Sequence, residues 1–217
     1  MIRLKDVEME YDNGTKAIQG ITLTIDDGEF VFLVGPSGSG KSTIIKLLTG
    51  EVLPSAGRIM INGFSIRNIS DRQIPLMRRT LGIIFQDFRL IDKKTVFDNL
   101  SFVMRAVGAS TREIKSRIPY VLDLVDLGGK MNSYPTELSG GEQQRVAIAR
   151  ALATGAEVIL ADEPTGNLDT ANSDQIVDLL LRAAHEEDRC VIVVTHDPAV
   201  AQRADRVLRL VDGRLAK

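Results

Sequence analysis

The sequence contains no tryptophan, a single cysteine, and aromatic residues at just 5% of its 217 positions. One cysteine cannot form a disulfide within the chain, which excludes the small secreted proteins that depend on disulfides for stability. Cys190 lies in the apolar run Cys190-Val-Ile-Val-Val194. We therefore expect it to be a buried, small hydrophobic residue in a reducing compartment.

The chain also lacks an excess of charge of either sign and any long apolar run. Its formal net charge of −2 leaves no strongly basic footprint, which argues against a nucleic-acid partner. No apolar stretch approaches the roughly 20 residues that span a bilayer, and Met1 leads directly into a predicted strand without a signal-peptide pattern. These absences predict a cytoplasmic protein that does not itself cross a membrane.

Enough apolar residues are present for a substantial core, since 44% of the chain is hydrophobic against 26% charged, with no low-complexity tract. Short apolar runs alternate with stretches of helical periodicity, which predicts an α/β sheet. The predicted strands are Ile2 to Val7, Ile18 to Ile25, Glu29 to Val34, Arg58 to Ile61, Ile83 to Phe85, Val158 to Ala161, Cys190 to Thr195 and Arg206 to Leu210.

Two further helices are predicted in the middle of the chain, where apolar residues recur at helical spacing in residues 96–107 and 114–125. The second follows a Ser110 cap with Glu113 in its first turn. Pro119 lies inside the second pattern and should kink that helix or split it into two. A last long helix is predicted from about Asn172 to His185.

The simplest organisation is a single domain, residues 1–217, with a helical subdomain inserted into its core. The insertion covers residues 88–138. Residues 1–87 and 139–217 form the core, whose sheet resumes after the insertion.

A phosphate-binding loop is predicted at Gly35-Pro-Ser-Gly-Ser-Gly-Lys-Ser42, which matches the pattern GxxxxGK[ST]. It follows the strand-length run Glu29 to Val34 and precedes the helical run Thr43 to Leu48. The glycines let the backbone curve around a β-phosphate, Lys41 can reach the β and γ oxygens, and the Ser42 hydroxyl is a ligand for Mg²⁺.

Two carboxylates, Asp162 and Glu163, directly follow the predicted strand Val158 to Ala161. In a parallel sheet this position is the carboxyl edge, where α/β folds bind ligands. We expect Asp162 to serve Mg²⁺ and Glu163 to act as general base on the attacking water. Alone, such a pair would more often end a strand in solvent, but here it follows a phosphate loop.

A second anion site is indicated by the run Leu138 to Leu152, LSGGEQQRVAIARAL. Ser139, Gly140 and Gly141 open a predicted helix, where backbone N–H groups and the positive end of the helix dipole favour phosphate. One chain therefore carries two half-sites for phosphate.

In the order of these motifs, the whole chain resembles the ATP-binding cassette family. Tyr11 matches the aromatic residue that stacks on adenine, and Gln86 the glutamine that senses Mg²⁺ and the attacking water. Leu138 to Glu142 resembles the signature motif, Asn167 to Asp169 the loop that crosses the dimer interface, and His196 the γ-phosphate histidine.

The resemblance implies a fold and a set of site residues. The fold is α/β, a P-loop NTPase core with an antiparallel β subdomain and the inserted α-helical subdomain. The implied catalytic residues are Glu163, His196 and Gln86, and the metal ligands are Ser42, Gln86 and Asp162. The nucleotide-binding residues are Tyr11, Gly35, Pro36, Ser37, Gly38, Ser39, Gly40, Lys41, Ser42, Thr43, Ser139, Gly140, Gly141 and Glu142. Glu142 departs from the commonest pattern, in which the signature ends in glutamine.

ATP and Mg²⁺ are the implied ligands, and the implied assembly is a homodimer. In the family, the signature of one subunit closes on the γ-phosphate held by the loop of the other, so two copies pair head to tail around two ATP molecules. Closure with ATP and reopening after hydrolysis convert nucleotide state into motion.

The variable segments resemble the branch of the family that acts in bacterial cell division. These segments are Ile74 to Arg79, Ile83 to Phe88 and Lys94 to Asn99, together with the string Ala161 to Asp169. The resemblance implies a peripheral subunit on the cytoplasmic face of the membrane, bound to an integral membrane partner and open to contact with cytoplasmic division machinery. We expect the partner to dock on the apolar residues after Gln86, above all Phe88 and Leu90, which stand among charged residues.

Three alternatives share parts of this pattern. The first is the ATPase subunit of a lipoprotein-releasing or macrolide-exporter type transporter. The second is a soluble DNA-repair or chromosome-structure ATPase, which needs a sustained coiled coil that an insertion of about 50 residues is too short to form. The third is a non-catalytic nucleotide-binding adaptor, against which Glu163 and His196 argue.

Overall fold

The computed structural model describes residues 1–195 and 201–216. In that part of the chain the strands are β1 (Ile2–Glu10), β2 (Lys16–Ile25), β3 (Phe30–Val34), β4 (Ala56–Ile61), β5 (Phe64–Ser65), β6 (Leu81–Ile84), β7 (Val158–Asp162), β8 (Cys190–Thr195), β9 (Arg206–Val211) and β10 (Arg214–Leu215). The α-helices are α1 (Lys41–Leu48), α2 (Ile74–Arg78), α3 (Val96–Ala106), α4 (Thr111–Leu124), α5 (Gly140–Ala153) and α6 (Thr170–His185).

An antiparallel sheet has the strand order β2-β1-β4-β5. Buried and exposed residues alternate along β1, with Ile2 and Leu4 inside and Arg3 outside, as expected for a sheet with one solvated face. Ile2 pairs with Ile25 of β2 on one side and with Ile61 of β4 on the other. The predicted antiparallel subdomain is therefore present.

The second sheet has the order β10-β9-β3-β8-β7-β6, and its neighbours from β9 to β6 are parallel. β3 lies between β8 and β9, which is why it is apolar along its whole length. Val34 pairs with Thr195, and Asp162 pairs with Val194, so the carboxyl ends of β3, β7 and β8 lie side by side. This register brings the phosphate loop and the two acids to the same edge.

The parallel sheet separates two hydrophobic clusters. Alternate residues of β3 face opposite clusters, Phe30 and Phe32 one and Val31 and Leu33 the other. The first cluster contains buried side chains of α3, α4, α5 and α6, and the second those of α1 and the antiparallel sheet. The site at the sheet edge is consequently supported by packed elements on both faces.

Helix α4 passes through Pro119 without interruption, so the predicted alternative of two short helices is wrong. Its N-terminus has the expected capping box between Ser110 and Glu113. Ile118 and Val121, on either side of the proline, are fully buried. Their burial and the cap offset the one backbone hydrogen bond that proline removes.

Some predicted boundaries differ from the observed ones. β1 continues to Glu10, because residues after Val7 still pair with β2 across a bulge. β6 begins at Leu81, where it pairs with Val158, and ends before Phe85. The short strands β5 and β10 were not predicted, and each is the return strand of a tight hairpin.

Candidate active site

The phosphate loop connects β3 to α1. Gly38 and Gly40 have φ values of 77° and 107°, a region that favours glycine. A Cβ atom at Gly35 would overlap the carbonyl oxygen of Leu210, so the close approach of β9 also requires glycine there. α1 has no side-chain cap, so its N-terminus offers its N–H groups to an anion.

Lys41 reaches back over this loop. Its Nζ donates to the carbonyl oxygens of Gly35, at 2.7 Å, and Pro36, at 3.0 Å. The ammonium group is therefore already placed above the concave side of the loop, where phosphate oxygens can replace the carbonyls as acceptors.

A cleft of about 600 Å³ lies in front of the loop. It brings together many of the residues that the sequence separates, from the antiparallel sheet, the phosphate loop and the end of β7. Of the predicted site residues, Tyr11, Ser37, Gly38, Gly40, Lys41, Ser42, Thr43, Asp162 and Glu163 line it. Gly35, Pro36 and Ser39 belong to the loop itself, and Ser39 is buried within it.

Tyr11 closes one end of the cleft. Its ring is partly buried against the cluster of α1 and the antiparallel sheet, and its hydroxyl lies 3.2 Å from Oγ1 of Thr43. A ring held in this way has a fixed orientation, as stacking on a base requires.

Several residues of this cleft were not predicted from the sequence. Lys16 and Gln19 of β2 and the turn residues Asp212 and Gly213 also line it. The turn is held by Gln19, whose backbone N–H donates to Gly213 and whose Nε2 donates to Asp212. Asp-Gly between apolar runs does predict a hairpin turn, but its place beside the phosphate loop follows from the β3–β9 pairing alone.

The two acids end β7 in different environments. Burial, and next the charge of Glu163, raise the pKa of Asp162 above its ordinary value. Glu163 has left-handed backbone geometry, φ 48°, and its N–H donates to the carbonyl of Val194 at 2.9 Å. Two carboxylates at a partly buried strand end favour a cation between them and the phosphate loop, which is the arrangement a Mg²⁺–nucleotide needs.

Gln86 lies just beyond β6, and both its side chain and its backbone carbonyl bind Asn167. Its Nε2 lies 3.4 Å from Oδ1 of Asn167, and its carbonyl accepts from Nδ2 of Asn167 at 3.1 Å. Gly166 packs so closely that a Cβ there would come within 2.8 Å of the Gln86 amide. The loop after β7 therefore orients Gln86.

No group of three or more His, Cys, Asp and Glu side chains that could hold a metal occurs in residues 1–195 and 201–216. A Mg²⁺ ion at this edge would take the Ser42 hydroxyl, with Asp162 in the same cleft, and complete its shell with phosphate oxygens and water. Gln86, the third predicted ligand, does not line this cleft. The donors are all oxygen atoms, as Mg²⁺ prefers.

The signature residues form the N-terminus of α5. Ser139 Oγ accepts from the N–H of Glu142 at 3.3 Å, and Glu142 Oε2 accepts from the N–H of Ser139 at 2.8 Å. Because the Ser139 hydroxyl is an acceptor in this box, its own hydrogen remains available for a phosphate oxygen.

Glu142 is engaged in stabilising this cap. The hydrogen bond from the Ser139 N–H lowers the pKa of Glu142, and Lys130 lies 3.4 Å from its other oxygen. Its side chain is thus engaged by Ser139 and Lys130 of the same chain, and a contact with nucleotide stays a prediction.

None of the described signature residues lines the cleft that contains the phosphate loop. Gly140 instead faces Leu168, and Gly141 is packed against Asn172 so closely that a side chain there would overlap it. One chain thus presents a loop half-site and a signature half-site at separate places.

The predicted histidine, His196, lies outside the described residues. Thr195, at the end of β8, is the last described residue before it.

A second cleft, of about 540 Å³, lies between the edge strand β6 and helix α3. Its apolar lining includes Ile83, Phe85, Val103 and Val107, and its rim carries arginines. Phe88 and Leu90, where we expected the partner to dock, do not line it: Phe88 points to Gly140, and Leu90 packs on the core. Among the described helices, none is long and apolar enough to span a bilayer.

Comparison with known proteins places these features in a family. The model of the ABC transporter family matches residues 18–166. The cell division ATP-binding protein FtsE of Streptococcus pneumoniae is 44% identical over 100% of this chain and 94% of its own length. FtsE of Escherichia coli is 45% identical over 99% of this chain and 97% of its own.

The solved dimeric structure of the bacterial ABC transporter cassette MJ0796 superposes with a TM-score of 0.89 at 37% identity, covering 100% of this chain and 97% of the cassette. The same cassette in a post-hydrolysis dimer bound to ADP and Pi gives a TM-score of 0.88 at 36% identity, with the same coverage.

Proposed function

This chain belongs to the ABC transporter family, within the cell division ATP-binding proteins of the FtsE type, and we propose that it powers a septal membrane complex by ATP-dependent closure of a homodimer. The chain is an ATPase. The proposal adds the residues that carry out hydrolysis, the shared site and the docking surface of the membrane partner.

The separation of the two half-sites is the observation that carries the proposal. The phosphate loop lines its cleft with the two acids, while Ser139 and Gly140 lie on another part of the surface. A chain built in this way completes neither site alone, and a two-fold, head-to-tail dimer completes both at once. The dimeric cassette MJ0796 supports this arrangement.

In each composite site, Lys41 and the glycine backbone bind the phosphates of ATP, and Tyr11 holds the base. Ser139 of the second protomer donates its hydroxyl hydrogen to the γ-phosphate. Mg²⁺, held by Ser42 with Asp162 nearby, would neutralise the charge that develops on the phosphate oxygens.

Glu163 accepts the proton of the attacking water, and Gln86 orients that water. Asn167 fixes the Gln86 amide from the loop that follows Glu163, so the base and the orienting residue are connected by one short segment. His196 is the proposed γ-phosphate contact. Removal of the γ-phosphate removes the contact that Ser139 of one protomer makes with the nucleotide of the other, and the dimer can reopen.

The second cleft is our proposed docking surface for the membrane partner, which we propose to be of the FtsX type. Its lining is mainly apolar but includes four arginines, and it runs along β6, the strand that leads to Gln86. A short amphipathic helix fits such a groove. We further propose that the complex activates peptidoglycan hydrolases across the membrane and that this subunit is peripheral, on the cytoplasmic face.

A lipoprotein-releasing or macrolide-exporter type ATPase would use the same hydrolytic residues. The full-length similarity to curated FtsE proteins, at 43–45% identity, favours the cell-division complex.

Mixed dimers test the shared site. Lys41→Ala and Ser139→Arg should each abolish hydrolysis alone, whereas an equal mixture should recover up to about a quarter of the wild-type rate, because about half of the dimers are mixed and each has one intact site. Phosphate release is the measurement. Ser116→Arg, on the exposed face of α4, is the control and should stay active. A mixture that is folded and associated but inactive would exclude sharing between protomers.

A charge in the second cleft should uncouple the membrane partner. Val107→Asp is expected to weaken co-purification with that partner in detergent by at least about tenfold, because it places a carboxylate in an apolar groove. ATP binding should be unchanged. Phe102→Asp is the matched control, since Phe102 lies on α3, the helix that Val107 directly follows, is 54% exposed and does not line the cleft. Equal retention of the partner by both variants would contradict this docking surface.

A further inference from the structure

The segment after Gln86 adopts an unusual backbone geometry. Among the described residues, positive φ at a non-glycine position falls on Asp or Asn except at Phe88 (57°), Arg89 (48°) and Glu163 (48°). Phe88 and Arg89 are consecutive, and neither side chain favours the left-handed region. Such geometry persists where the surroundings impose it, and it concentrates at functional sites.

Local contacts fold residues 85–90, which we call the hook, into a compact turn that contains Gln86. The N–H of Phe88 donates to the carbonyl of Phe85 at 3.2 Å, and the N–H of Arg89 donates to the carbonyl of Asp87 at 2.6 Å. The guanidinium of Arg89 stacks over the Phe85 ring at 3.8 Å and pairs with Asp87 at 3.2 Å. These contacts lie within the hook, and its attachment to helix α5 comes from a residue elsewhere in the chain.

Arg150 provides that attachment. Its NH1 donates to the carbonyl of Arg89 at 2.6 Å and its NH2 to the carbonyl of Phe88 at 3.1 Å. The carbonyl oxygens of the two left-handed residues thus each accept a hydrogen bond from one rigid, planar guanidinium. Partial burial, and next the charge of Arg89, lower the pKa of Arg150.

Arg150 lies in the last turn of α5, the helix whose first turn carries the signature. At that other end, the tip of the Phe88 ring lies 3.9 Å from where a Cβ of Gly140 would be. The hook is therefore bound to one end of this helix and lies close to the other. A displacement of α5 therefore pulls on the backbone next to Gln86, whose side chain and carbonyl are also held by Asn167.

We infer that Arg150 is a positioning residue, which holds the Phe88–Arg89 backbone in its left-handed form and so makes Gln86 move with the signature helix. The functional part rests on the role proposed above for Gln86. Engagement of Ser139 with the nucleotide of one site is then transmitted through α5 to the Gln86 of the other site in the dimer. A lysine cannot replace the arginine fully, because its single ammonium has no planar fork.

Hydrogen exchange and kinetics test this inference on the full chain. In nucleotide-free Arg150→Met, amides of residues 86–90 should exchange at least about tenfold faster than in wild type, with β3 and β8 unchanged. The kcat should fall by about 10- to 100-fold, since misplacing a group by about 1 Å has effects of this size, while the KM for ATP stays within about threefold. In Arg150→Lys, both the exchange rate and the kcat should lie between those of Arg150→Met and of the wild type.

Arg182→Met is the matched control, because Arg182 is an exposed arginine of α6 whose ion pair, among the described residues, is to Glu186 one turn further along. Unchanged exchange in residues 86–90, or an unchanged kcat, would overturn the inference. Faster exchange throughout the core, together with a rise in the KM for ATP, would also overturn it, because that result indicates general destabilisation of the fold. Gln86→Ala separates the two proposals: wild-type turnover there would refute the role of Gln86, whereas the exchange result decides the role of Arg150 independently.

Discussion

Glu163→Gln is expected to slow ATP hydrolysis by about 10²- to 10⁴-fold while ATP binding is retained. Glutamine keeps the size and most of the hydrogen bonding of glutamate but cannot accept a proton from water. The phosphate loop, Lys41 and Tyr11 are untouched, so the affinity for ATP should change little. Phosphate release and equilibrium binding of ATP are the two measurements.

The same variant should accumulate an ATP-bound dimer, because the γ-phosphate that joins the protomers is no longer removed. Light scattering with ATP and with ADP checks this outcome. Glu157→Gln is the control: Glu157 is an exposed glutamate just before the other end of the same strand, β7, and its loss should alter neither turnover nor association. Normal turnover in Glu163→Gln would refute the assignment of Glu163 as general base.

Lys41→Ala is expected to weaken ATP binding by at least about 100-fold and to abolish turnover. The ammonium is placed over the loop by its bonds to the carbonyls of Gly35 and Pro36. Without it, the β and γ oxygens would face those carbonyls with no cation between them, and the repulsion adds to the lost attraction.

Lys46→Ala provides the comparison, because Lys46 lies on the exposed face of the same helix, α1. It should bind and hydrolyse ATP as the wild type does. Isothermal titration with ATP and thermal unfolding of both variants separate loss of binding from loss of fold. Wild-type affinity in a folded Lys41→Ala protein would mean that the phosphates bind elsewhere.

Most elements of the fold could be predicted because their signals are local. β3 is an unbroken apolar run, Ser110 and Glu113 cap α4, and Cys190–Thr195 was predicted as a strand with the bounds that the structure has. The path of α4 through Pro119 was predicted less well, because the outcome depends on how much apolar surface the neighbouring helices bury.

The exposure of single apolar side chains was harder to predict than the elements, and the docking site stays a prediction. Phe88 and Leu90 are apolar residues among charged ones, which suggested an exposed surface. Their left-handed or irregular backbone turns them toward Gly140 and the core, and the open cleft is instead lined by Val103 and Val107. Hydrophobicity along the chain does not reveal the direction of a side chain in a hook.

The amino-acid sequence determined the chemistry of this protein: a phosphate loop, a pair of acids and a capped signature helix are each contiguous, and each acts through its own backbone and side chains. Tertiary structure alone decided how they combine. The parallel register of β3, β8 and β7 sets the acids beside the loop, and Arg150 joins a helix end to carbonyls about 60 residues earlier in the chain. Hydrogen bonds of that kind involve backbone atoms common to all residues, so they leave no pattern in the sequence.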